Sequence, residues 1–218
     1  MRRLTKATPF TCHPNRAQVR ACAAPAADAA PEAYHPATRL LHAISGAGML
    51  SCVGLVLWAQ SLPAWGKCTP EEKKKKGDLM FYHKSIGLTM LGVMVPRVAM
   101  RLMHKAPAHL PGNSAIENTL GQVTHVALYG LIVVLPVSGF VMSYMGGNGL
   151  PFFFTTLKPA SGEIGKATNG ALADKAYNVH SKAGKALQYL VPVHVGAAGL
   201  HMARGQAILS RINPFAKV

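Results

Sequence analysis

The sequence predicts an all-α fold, a membrane-spanning four-helix bundle, on three observations. Four apolar stretches of about twenty or more residues each are long enough to cross the hydrocarbon core of a bilayer. Half of the 218 residues are hydrophobic and only 14% are charged, against roughly a quarter in a soluble domain. The interiors of the four stretches hold no Asp or Glu, yet six of the ten histidines lie in them or at their ends. The length suits one domain. The formal charge of +15 would fit a nucleic-acid partner, but the basic residues sit between apolar blocks and no nucleic-acid motif is present. Basic loops on a membrane protein account for the charge.

Residues 1–35 read as a disordered organelle-targeting peptide, and residues 36–212 as the membrane domain. Arg2, Arg3, Lys6, Arg16 and Arg20 precede the first acidic residue, Asp28. Thr5, Thr8 and Thr11 and an Ala/Pro-rich run complete the pattern, with no apolar core of secretory type. Val19-Arg20-Ala21-Cys22-Ala23 looks like a plastid processing site. The expected location is a plastid membrane, thylakoid or inner envelope, with the mitochondrial inner membrane as the alternative. Cys12, Cys22, Cys52 and Cys68 lack the paired spacing of a zinc or iron–sulfur site.

The first span is expected over about 36–62, with Pro36 in a first helical turn, Arg39 at one interface, and Trp58 and Trp65 at the other. A charged loop over Lys67–Asp78 follows, with a short surface helix on which Glu71/Lys75 and Glu72/Lys76 could pair. The second span, 79–102, enters with His83 and can kink at Pro96. A linker, 103–118, holds His104 and His109, both expected in solvent. The third span, 120–144, carries His125. The longest loop, 145–176, opens with GGNGLPFFF, which fits either an interfacial flap over the bundle end or an ordinary aromatic belt. The fourth span, Tyr177 to Arg204, holds His180, His194 and His201.

That last helix organises the rest. Fourteen residues at about 100° each return the chain to within about 40° of its starting face. His180 and His194 therefore point the same way, about 21 Å apart along the axis. An antiparallel bundle puts His42, His125, His194 and His201 on one half and His83 and His180 on the other, which is the division that two bis-histidine haem sites at different depths require. His42, His83 and His180 are each followed four residues later by a glycine, Gly46, Gly87 and Gly184. The i+4 position lies beside the ligand on one face, where a bulky side chain would block a flat macrocycle. His83 with His180 is the cleaner pair. His42 must choose among His125, His194 and His201. His194 is favoured because it faces with His180, and His125 and His201 stand in reserve. Arg39, Arg97 and Arg101 at one interface and Lys84, Lys182 and Lys185 at the other are candidates for the haem propionates.

RLLHAI, FYHKSIG, GQVTHVALY with Pro136 and Gly139, SYMGGNGLPFF, and NVHSKAG with PVHVGAAGLH together resemble the bacterial-type cytochrome b561 family, from about Arg39 to Arg211. The resemblance implies four spans, two b-type haems and electron exchange with quinone and quinol; some members are thought to oxidise superoxide. Carried over by position, it implies His42 with His194 on one haem and His83 with His180 on the other. Ala43 departs from the tryptophan common after the first histidine. Two rival readings remain at this stage. One is a membrane-anchoring cytochrome subunit that takes electrons from a redox protein partner in a larger complex. The other is a four-span structural protein without cofactor.

Overall fold

The computed structural model of the chain describes residues 32–215. The leader, with Cys12 and Cys22, falls on residues outside that range except for its last four. Four long helices form the molecule: α1 (Pro36–Ser61), α2 (Pro70–Met103), α3 (Ala115–Met145) and α4 (Gly170–Ala203). A short helix, α5 (Ile208–Ile212), follows α4. Between α3 and α4 lies an antiparallel hairpin, β1 (Leu150–Phe152) with β2 (Thr155–Leu157), in the register Leu150↔Leu157 and Phe152↔Thr155.

The helix starts are written locally. Pro36 opens α1 behind His35, whose ring accepts from the Ala37 N–H. Thr69 and Ser114 each cap their helix in a reciprocal capping box with Glu72 and Glu117. Asn169 caps α4 by accepting from the Leu172 N–H. These caps correct the reading of Lys67–Asp78 as a charged loop. From Pro70 onward the stretch is the first turns of α2, because a capped start with Glu71 and Glu72 in its first turn favours helix and lysine does not oppose it. The lysines then turn to aromatic faces instead of to those glutamates. Lys75 lies over Trp58 and Lys76 over Trp65, and Lys76 also donates to the Pro63 carbonyl.

Polar side chains share the interior with apolar ones such as Leu79, Met90, Leu135 and Leu187, and large apolar side chains cover much of the outside. Thr38, Arg39, Ser45, Ser85, Arg97, Ser138 and Ser143 are buried, while Leu50, Val95, Leu102, Val126, Tyr189 and Leu200 are exposed. Such a surface suits lipid as solvent, and small hydroxyl residues let the helices approach. α1, α2 and α3 are each long and apolar enough to cross a membrane. α4 is equally long but more polar; its residues 186–203 hold no charged side chain, only Gln188, His194 and His201 among the apolar ones. α1 packs along α2, α3 along α4, and α2 touches α3, whereas α4 does not pack closely on α1 or α2. Two helical hairpins therefore hold a gap between them.

Candidate functional site

His83 on α2 and His180 on α4 face each other across that gap. Their ring centroids are 6.1 Å apart and their planes lie at 88°. The Nδ1 of His83 is 3.1 Å from the Cys52 carbonyl on α1. On the other side, His180 Nδ1 is 3.0 Å from the Leu135 carbonyl and 3.1 Å from Ser138 Oγ, both on α3. A carbonyl only accepts, so each Nδ1 is the protonated donor and each Nε2 keeps its lone pair. Gly139 makes the close approach possible, since a Cβ there would stand 3.1 Å from Cε1 of His180.

Both rings border a cavity of about 1320 Å³, above the ~300–1,000 Å³ usual for a small-molecule pocket. Gly87 and Gly184 line it, with no atom within 4 Å of where a Cβ would be. Leu150, Pro151 and Thr156 of the β-hairpin also line it. The hairpin is fastened to α2 by Ser85, whose side chain is fully buried. Its hydroxyl is shared between the Phe81 and Pro151 carbonyls and accepts from the Phe153 N–H at 3.3 Å. Phe153, at φ 47, is the one non-glycine residue with positive φ among the described residues, and Phe154 beside it is 95% exposed.

Toward the opposite end, His42 on α1 and His194 on α4 have ring centroids 6.3 Å apart. His125 on α3 comes within 5.3 Å of His194, but it is exposed and its Nδ1 bonds to Gly121 of its own helix at 2.7 Å. His201 is held by Gln206, whose amide bonds Pro111 and Asn113 in the α2–α3 connection. Gly46 faces open space, although it does not line the large cavity. Arg39, 2% exposed, reaches the Asn213 carbonyl at 3.1 Å, and Arg97 reaches the Thr38 carbonyl at 3.4 Å while lying over Tyr129. Arg211 donates to the Ala108 carbonyl at 2.6 Å. Burial lifts the Tyr34 phenol above its ordinary range, against the opposing charge of Arg101, Arg211 and Arg97. His104 is half-buried against His35, with ring centroids 4.3 Å apart, and His109 is exposed.

Both pairs fit a haem iron between them. A metal–nitrogen bond of about 2 Å on each side, plus roughly 1 Å from nitrogen to ring centre, separates the centroids by about 6 Å. No group of three or more His, Cys, Asp or Glu that could hold a bare metal ion occurs among the described residues. A macrocycle that brings its own nitrogens would therefore be held by two facing imidazoles, with His125 a third ring beside His194 at the far pair. Open space beside Gly87 and Gly184 lies where a flat ring needs it. Sequence reasoning did not find Ser138, the Cys52 and Leu135 carbonyls, or Ser85. A backbone acceptor on a neighbouring helix leaves no mark in residue type, and the only available signal was a serine beside Gly139 in an apolar span.

A family model described as prokaryotic cytochrome b561 matches residues 33–214. Among curated proteins, the chain is 29% identical over 153 residues to cytochrome b561 homolog 2 of Escherichia coli (strain K12), covering 69% of this chain and 74% of that protein. It is also 27% identical over 119 residues to a protein of Yersinia pestis named probable superoxide oxidase CybB, covering 55% of this chain and 65%, just under two thirds, of the relative.

Proposed function

The chain belongs to the prokaryotic cytochrome b561 family, a family of multi-pass membrane electron-transfer proteins that bind b-type haem, and from that premise we propose that it carries two haems and passes single electrons between them. The observation that carries this reading is the pair of facing imidazoles at each of two depths, 6.1 Å and 6.3 Å between centroids, across a gap the helices leave open. Haem b supplies reversible one-electron chemistry at iron. His83 and His180 would hold one group and His42 and His194 the other, and two imidazoles per iron would leave no position at the metal open to a substrate. Gly46, Gly87 and Gly184 leave room for the ring planes. Arg39, Arg97 and Arg101 at one end, and Lys84, Lys182 and Lys185 at the other, place cations for carboxylates at the interfaces.

Quinone and quinol are the proposed exchange partners in the membrane. Likeness to a probable superoxide oxidase supports superoxide as an electron donor, with quinone as acceptor, and a strongly basic chain favours approach of an anion. The leader is proposed to direct the protein to a plastid membrane; a fluorescent fusion of residues 1–35 that stayed outside plastids would refute this. The test of the haem reading is a reduced-minus-oxidised spectrum with a haem count for the wild type beside His83→Ala and His194→Ala. Two haems in the wild type and one in each variant are expected. Unchanged haem content in both variants would end the ligand assignment.

A further inference from the structure

Resting on the two-haem reading, we infer that the chain makes its two sites unequal: Ser138, with the Leu135 and Cys52 carbonyls, holds the haem of His83 and His180 at the lower reduction potential, so that electrons run downhill toward the pair His42 and His194.

The asymmetry lies in what the Nδ1 atoms touch. His180 donates to two acceptors, the Leu135 carbonyl at 3.0 Å and Ser138 Oγ at 3.1 Å, and His83 donates to the Cys52 carbonyl at 3.1 Å. Ser138 is well placed to accept, because its own proton is engaged with the Val134 carbonyl at 2.6 Å. It is 7% exposed, so no water competes strongly for its lone pair. Neither His42 nor His194 has such an acceptor among the described residues. Hydrogen bonds from the distal nitrogen make an imidazole a more basic ligand. A more basic ligand stabilises the ferric over the ferrous state, which lowers the potential. Three acceptors on one pair and none on the other therefore separate the two sites.

Each pair also has a cation close by, so charge acts on both sites. Arg97, 7% exposed, is bonded to Thr38 one turn before His42, and its charge reaches both His42 and His194. A fixed cation favours the reduced site, which carries one positive charge fewer. Lys76, Lys84 and Lys185 border the hairpin-end cavity and oppose the difference. Lys76 is turned to Trp65 and Pro63, and Lys185 is exposed, so their fields at the rings are weakened by distance and solvent. Lys84, half-buried beside His83, reaches that ring as Arg97 reaches the other pair; the separation of the two sites therefore rests on the Nδ1 acceptors.

The test is a redox titration of the visible haem bands in the purified wild type, Ser138→Ala and Ser138→Thr, each with its haem count. With two haems present, Ser138→Ala should raise only the lower of the two potentials. The expected size is about tenfold in the reduction equilibrium, or about 59 mV for one electron. Ser138→Thr keeps the hydroxyl and should restore the wild-type value. A second variant guards against loss of the haem in Ser138→Ala: His180→Ala, retaining only the other haem, should titrate at the upper of the two wild-type potentials. If Ser138→Ala moves the upper component or neither, or if His180→Ala leaves the lower component, the inference is overturned. A wild type with fewer than two haems removes the two-haem reading, and the inference with it; the haem count distinguishes that failure from the others.

Discussion

Gly139 sets how closely α3 can approach His180. An added methyl would stand 3.1 Å from Cε1 and 3.3 Å from Nδ1 of the ring, tighter than ordinary contact, so the ring must give by a few tenths of an ångström, which strains its bonds to the Leu135 carbonyl and Ser138. Gly139→Ala is therefore expected to weaken haem retention at the hairpin end by about 10- to 100-fold and to leave the other haem in place, read as haem content after washing in detergent. Gly184→Leu fills the open space beside His180 and should cost the same haem. His201→Ala behaves differently. It breaks the link through Gln206 to Asn113 and Pro111, lowering stability by about 1 kcal/mol with both haems retained. A haem lost from His201→Ala would restore that residue as a ligand candidate. At this scale the histidine and glycine spacing was legible, because 3.6-residue periodicity alone sorts side chains to faces. Ser138 was not, because its importance comes from the helix opposite.

Among the helices, α2 shows how a cap outweighs a run of charge. Thr69-Pro70-Glu71-Glu72 is a complete start signal, legible in the sequence, and only the four lysines after it argue for a loop. Thr69→Ala should destabilise the end of α2 by about 1 kcal/mol, seen as faster amide exchange over its first turns with the rest of the helix unchanged. The β-hairpin was harder to foresee. Its strands are three residues long, and its turn places Phe153 at positive φ, where glycine or asparagine is the usual sign. Ser85 supplies the compensation by accepting from the Phe153 N–H. Ser85→Ala leaves that donor and the Pro151 carbonyl without their partner, at a cost of about 1–3 kcal/mol. Protease cleavage within 146–169 should then rise. Cleavage equal to wild type would show that the hairpin is held by other contacts.

Across the whole molecule, serines and arginines are buried among the helices, and many large apolar side chains are exposed, as expected of a bundle whose solvent is lipid. Counting spans was enough to place His42 and His194 toward one end and His83 and His180 toward the other, since each crossing reverses the chain. The sequence could not disclose that α4 stands away from α1 and α2, leaving His83 and His180 to face each other beside a large cavity. That separation depends on which helices touch, and residue periodicity is silent on it. A pair-specific haem count tests the account most directly. His42→Ala combined with His194→Ala should remove one haem and leave one, as should His83→Ala with His180→Ala, while His42→Ala combined with His83→Ala should remove both. A same-pair double variant that loses both haems, or a cross-pair variant that keeps one, would contradict the account.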